Sequence, residues 1–161
     1  MTRLELMGYT PDASCWYVID PKHTFKLQDN RWADGHYIGL GMGAYGYCGG
    51  YAYQNATDFQ QYESFITQAR LPATHALKLT DGERIRRQMA LGIKARNGFP
   101  LSTLVEGAPS DVREHILPKV DMLFALGCLE QVNSRIVLTP VGRLFDDEVA
   151  EIFYAPEVAG M

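Results

Sequence analysis

Six of the fifteen glycines in this 161-residue chain fall between Gly39 and Gly50. The stretch runs Gly39-Leu40-Gly41-Met42-Gly43-Ala44-Tyr45-Gly46-Tyr47-Cys48-Gly49-Gly50. Each glycine costs a helix about 1 kcal/mol relative to alanine, so this stretch is read as strand and turn. Glycines at a strand end let a ligand approach the backbone closely, or let the chain bend tightly, and both readings stay open on the residues. Tyr45, Tyr47, Tyr51 and Tyr53 surround them. Such rings stack on a flat conjugated ligand or fill half-buried strand positions. Gly41, Gly43 and Gly46 formally match G-x-G-x-x-G, yet no helix follows and no further strand–helix unit completes a dinucleotide-binding half.

Around this stretch the pattern changes with position. Ala13 to Ile19 reads as a short buried strand between Pro11 and Asp20-Pro21, and His36 to Leu40 as a second. From Thr57 the period becomes helical. Phe59, Tyr62, Phe65, Ile66 and Ala69 share a face, with Thr57 and Gln60 in the capping-box positions and Leu71-Pro72 as the stop. Thr80-Asp81-Gly82-Glu83 opens a second helix, expected to run to Asn97-Gly98 and to carry Arg84, Arg86 and Arg87 on a basic side. Ser110 is expected to cap a third, with Val112, Ile116, Val120, Leu123 and Phe124 inward and Pro118 kinking or dividing it. Cys128–Val132 and Arg135–Leu138 read as a hairpin around Asn133-Ser134. Thr139-Pro140 starts a last helix whose inner side is Leu144, Val149, Ile152 and Phe153. A loose boundary lies near residues 72 to 80.

Composition narrows the function classes. Hydrophobic residues are 47% and charged residues 21%, a globular balance. The length admits one domain with an appendage but not a whole (β/α)₈ barrel of about 250 residues. Helices followed by a hairpin and a helix are winged-helix-like. However, residues 101–161 hold four Lys or Arg against ten Asp or Glu, a difference of −6. Phosphate contacts need the opposite balance, so nucleic acid is not an expected partner. No run has the roughly 18 apolar residues of a membrane span, and the first residues lack a signal-peptide h-region. A cytoplasmic protein is expected.

Cys15, Cys48 and Cys128 are scattered and form no disulfide framework or metal knuckle. His23, His36 and Cys48 match no zinc spacing, and no metal site is expected. Asp146-Asp147-Glu148 suits a helix N-terminus better than acid–base catalysis. No nucleophile elbow or P-loop is present, and no catalytic residue is assigned.

The order of several short motifs resembles a known family. Asp29-Asn30-Arg31-Trp32, Gly35, Ile38-Gly39-Leu40-Gly41-Met42-Gly43-Ala44, Gln54-Asn55, Tyr62 and Leu71-Pro72 form its core. Leu79-Thr80, Arg86-Arg87, Leu126-Gly127-Cys128-Leu129 and Leu138-Thr139-Pro140-Val141-Gly142 follow in the same order. This is similar to the C-terminal part of radical SAM enzymes related to oxygen-independent coproporphyrinogen III oxidase, including the haem-utilisation branch. The resemblance spans roughly residues 9 to 153. It implies an α+β fold, with the last strands of a partial (β/α) barrel in residues 1–72 and a helical, winged-helix-like domain with a small hairpin in residues 73–161.

The resemblance also implies roles. Gly41, Met42, Gly43 and Ala44 would face S-adenosylmethionine. Tyr45, Tyr47, Arg31 and His23 would face a haem or porphyrin. The family's 4Fe–4S cluster is held by a CxxxCxxC loop that this chain does not contain, so the cluster is not ligated here. The chain is therefore expected to be a truncated or partial relative, inactive alone. Two alternatives stand beside it: a stand-alone haem- or porphyrin-binding protein without catalysis, and a winged-helix interaction module. Unpaired strand edges make a homodimer an expected association.

Overall fold

The computed structural model describes residues 3–154. In chain order the elements are α1 (Arg3–Leu6), β1 (Thr10–Pro11), β2 (Tyr17–Val18), α2 (Lys26–Trp32), β3 (Tyr45–Cys48), β4 (Tyr51–Asn55), α3 (Phe59–Thr67) and β5 (Ala73–Lys78). They continue with α4 (Asp81–Gly92), β6 (Phe99–Pro100), α5 (Leu101–Val105), α6 (Ser110–Ala125), β7 (Leu129–Val132), β8 (Arg135–Leu138) and α7 (Asp146–Glu151), the last preceded by a 3₁₀ turn at Gly142–Phe145. The chain divides into two compact units. One joins the residues up to Asp34 to those from Asp81 onward; the other is Gly35–Thr80.

The first unit owns the main core. Along α6, Val112, Ile116, Val120 and Leu123 recur at helical spacing and are buried. They pack with Met89, Ile93, Phe99, Leu104, Ile136, Val149 and Phe153. Pro118 does not divide α6, which runs unbroken over sixteen residues. Pro118 lies on the exposed face, where water can satisfy the carbonyl it leaves unbonded. The Ser110 cap is corrected too: the capping position is Pro109, with no side-chain bond to the helix.

Other boundaries move for local reasons. α4 ends at Gly92 rather than near Asn97, because Lys94 and Ala95 donate to carbonyls three residues back and tighten the chain into turns. Residues 13–19 yield only the two-residue strand β2, paired with β1, and Ile19 is exposed. The hairpin is as expected. Asn133 and Ser134 both take positive φ, 47° and 62°, in the two-residue turn that matches strand twist. β8 sits between β6 and β7, all antiparallel. Thr139 caps the following turn by accepting the Gly142 N–H at 3.1 Å. Val149 and Phe153 are buried as expected, but Leu144 is exposed.

In the second unit β4 is the centre of an antiparallel sheet in the order β3-β4-β5. Gly49-Gly50 makes the β3–β4 turn, with φ of 59° and 81°. His36–Leu40 contributes one isolated bridge, Tyr37 to Tyr47, rather than a strand. α3 is capped by Asp58, whose Oδ1 accepts the Gln61 N–H at 2.8 Å, one residue after the expected Thr57. Its apolar face is not buried in this chain: Phe59 and Ile66 are exposed, and Tyr62 and Phe65 half-buried.

All strand pairings among the described residues are antiparallel. Barrel strands pair in parallel, so these pairings do not reproduce the partial barrel expected for residues 1–72. Among the described residues no helix is long and apolar enough to cross a membrane.

The core assignment has a direct check. Ile116→Ala should lower unfolding free energy by about 2–5 kcal/mol in urea titration, as buried aliphatic truncations do. Leu126→Ala, at an exposed position, should change it little.

Candidate functional site

The glycine run of the second unit forms a loop held from one side by β4. Asn55, at the end of that strand, is 1% exposed. Its Nδ2 donates to Gly39 O at 3.0 Å and to Gly41 O at 2.9 Å. Both amide hydrogens are thereby used, which fixes the orientation of the amide. Gln54 Nε2 donates to Gly43 O at 3.3 Å, the Asn55 N–H to Ala44 O at 2.9 Å, and the Gly43 N–H to Ala56 O at 2.8 Å. The sheet register shifts at this point, between Gln54 and Asn55. A bulge re-aims the side chains next to it, and this one sits at the two residues whose amides hold the loop.

A second brace comes from Tyr53. Its hydroxyl accepts the Gly39 N–H at 3.3 Å. Its ring lies where a Cβ on Gly46 would stand, so any larger residue at 46 displaces the brace. Gly46 is thus a packing glycine. Gly41 and Gly43 are conformational ones, with φ of 97° and 69°. A Cβ on Gly41 would meet no atom within 4 Å, so the backbone there faces open space. Leu40 is 87% exposed and Met42 55%.

The expected site residues separate. Gly41, Met42, Gly43 and Ala44 lie together on the braced loop. Tyr45 follows at the start of β3 and is exposed. Tyr47 is 3% exposed and packs edge-on against His36, with ring centroids 6.0 Å apart. Its ring is thus covered by residues of this chain, unlike that of Tyr45. His23 and Arg31 belong to the other unit and are exposed. His23 sits in a turn closed by its N–H to Asp20 O at 2.9 Å. Arg31 borders a cavity of about 280 Å³ with Trp16, Gln28 and Lys94.

The open, glycine-lined backbone fits close approach by a cofactor such as S-adenosylmethionine. The cysteines do not fit an iron–sulfur cluster: Cys15, Cys48 and Cys128 lie in three separate elements or loops, and no group of three or more His, Cys, Asp or Glu able to hold a metal occurs among the described residues. Sequence reasoning missed Asn55 and Tyr53 as the holders of the loop. The only signal for Asn55 was its place beside Gln54 in the motif order.

The clamp is testable. Asn55→Ala should cost about 1–3 kcal/mol of stability, because two loop carbonyls lose their donor. Amide exchange at Gly43 should accelerate at the same time. Unchanged exchange there would show that the loop is held by other means.

Residues 79–145 match the HemN C-terminal domain. The chain is 28% identical over 136 residues to the haem chaperone HemW of Bacillus subtilis, covering 84% of this chain and 35% of that protein. It is 30% identical over 151 residues to the haem chaperone HemW of Mycobacterium tuberculosis, covering 91% and 35%. The chain thus spans about a third of the length of these relatives. Among solved structures it superposes on Escherichia coli coproporphyrinogen III oxidase (HemN), described as a radical SAM enzyme. The TM-score is 0.70 at 18% identity, over 93% of this chain and 38% of that one. Residues 79–145 thus match the HemN C-terminal domain, the chain is similar in sequence to HemW, and it shares the fold of part of HemN.

Proposed function

We propose that this chain is the C-terminal portion of a radical SAM protein that handles haem or a porphyrin. In this reading residues 1–72 adjoin the barrel of the intact protein, whose parallel strands this segment does not itself form, and residues 73–161 are its helical, winged-helix-like domain. The observation that carries the reading is the braced loop Gly39–Ala44 in a homologue of HemW. The loop supplies backbone for a cofactor, and the cluster is ligated by cysteines outside this sequence. The chain alone is then not catalytic.

Each part has a physical task. When bound, S-adenosylmethionine supplies the radical chemistry of the intact protein. Gly41 and Gly43 admit the cofactor to the backbone without a Cβ in the way, Met42 and Ala44 flank it, and Asn55 keeps the loop in place before binding. Tyr45 offers an exposed ring for a flat macrocycle. On the other unit, Arg31 and His23 are exposed groups of the kind that pair with a carboxylate or bind a haem iron. The exposed apolar residues Leu40, Met42 and Leu71 support a loop that works against a ligand or further protein, and the protein's place is the cytoplasm.

A second reading keeps the haem but not the radical chemistry. The relatives are called haem chaperones, which favours a carrier that binds haem without transforming it. The edge strand β5 would then serve a homodimer. Nucleic acid and membrane remain outside both readings.

Haemin titration followed in the Soret region tests the shared claim. Saturable binding should appear, weakened in Tyr45→Ala, whereas Tyr47→Phe should bind as the parent does. Spectra that stay those of free haemin at tens of micromolar would rule out a haem site on this chain.

A further inference from the structure

Across the sheet of the second unit, Tyr45 on β3 pairs with Gln54 on β4, and Gln54 pairs with His75 on β5. Residues paired in register point to the same face, so these three side chains form one row across three strands. Tyr45 is 64% exposed, and His75 is exposed too. Two strand spacings, about 10 Å, separate their backbones. Leu77, two residues after His75, lies on the same face and is exposed. Gln54, at the centre, is half-buried, with its amide on Gly43 O at 3.3 Å. The register shift of this sheet comes only after Gln54, so the row itself is regular.

His75 differs from the other three histidines. His36 packs against Tyr47, His115 Nε2 is bonded to Lys119 Nζ at 2.8 Å, and His23 belongs to the other unit. On His75, Nδ1 meets Thr74 Oγ1 at 3.2 Å. That contact leaves Nε2, the ring nitrogen farther from the backbone, for another partner. A metal on Nε2 selects the tautomer in which Nδ1–H donates to the threonine, as a ligating imidazole does to its outer partner. A bare metal ion needs several protein ligands, and no group of three or more His, Cys, Asp or Glu able to supply them occurs among the described residues. Haem iron is different. The macrocycle supplies its other ligands, and one histidine from the protein suffices.

We infer that His75 is the iron ligand for haem on this chain, with Tyr45 against the same macrocycle from the other end of the row. The inference rests on the haem reading above and assigns the iron to the sheet face that carries Tyr45, not to His23. Leu77 adds apolar surface beside the ligand.

Haemin and metal-free protoporphyrin IX, titrated into the full chain and its variants, test it. Haemin should bind the parent with the shifted Soret band of a histidine-ligated iron. Thr74→Val should weaken haemin about tenfold, the loss expected when a ligating histidine is left without its outer partner. His75→Ala should lose at least as much and return the band toward that of free haemin, and added imidazole should restore it. His75 is exposed on an edge strand, so its replacement leaves the fold intact. Protoporphyrin, lacking iron, should bind the parent and His75→Ala alike and still respond to Tyr45→Ala. His23→Ala should change neither titration. Haemin bound to His75→Ala with the parent's spectrum and affinity would overturn the assignment and leave the haem reading standing. Equal weakening of haemin and protoporphyrin in His75→Ala would show packing instead of coordination and would overturn it as well. An absence of saturable haemin binding to the parent would overturn both.

Discussion

Everything distinctive about the glycine loop depends on one side-chain amide. The two hydrogens of Asn55 Nδ2 hold the carbonyls of Gly39 and Gly41, residues that otherwise have wide conformational freedom. A glycine-rich loop loses more entropy on ordering than any other, and an unbraced one would lose it at the moment of binding. Here the loss is met during folding. The buried amide, the shifted register at Gln54/Asn55 and the Tyr53 hydroxyl act on the same six residues, and the backbone that faces open space at Gly41 is already set.

The other unit is organised by charge as well as by its apolar core. Asp12 is buried against Arg96, and its backbone carbonyl accepts from Arg143 Nη1 at 3.2 Å. Ser14 donates to Asp146, and Arg87 pairs with Asp34. These bonds tie the segment from Asp12 to Asp34 onto helices far along the chain. They do not contribute equally. The Lys94–Asp147 pair has a largely exposed carboxylate and adds little, while breaking a buried pair such as Asp12–Arg96 leaves a charge without compensation.

What was legible in the sequence was local and periodic. The face of α6, the β7–β8 hairpin and the Thr139 cap follow from spacing and turn chemistry within a few residues. The family resemblance followed from motif order and is matched by the HemN C-terminal domain and HemW. The errors have tertiary causes. Pro118 is tolerated because it faces solvent, which a linear pattern does not state. Tyr45 and Tyr47 look equivalent in sequence, yet one is exposed and the other packs on His36. Asn55 acts on residues 14 to 16 positions away, and no periodicity carries that information. The site residues His23 and Arg31 fall in a different compact unit from the loop, a division that composition did not mark.

The central claim is that the braced loop is a ready-made backbone platform for a cofactor. Its most direct test is an amide-resolved titration of the chain with S-adenosylmethionine. The account predicts saturable shifts centred on Gly41, Met42, Gly43 and Ala44, lost in Gly43→Val and weakened in Asn55→Ala. Saturation with no perturbation in that loop, or binding unaffected by Gly43→Val, would contradict it.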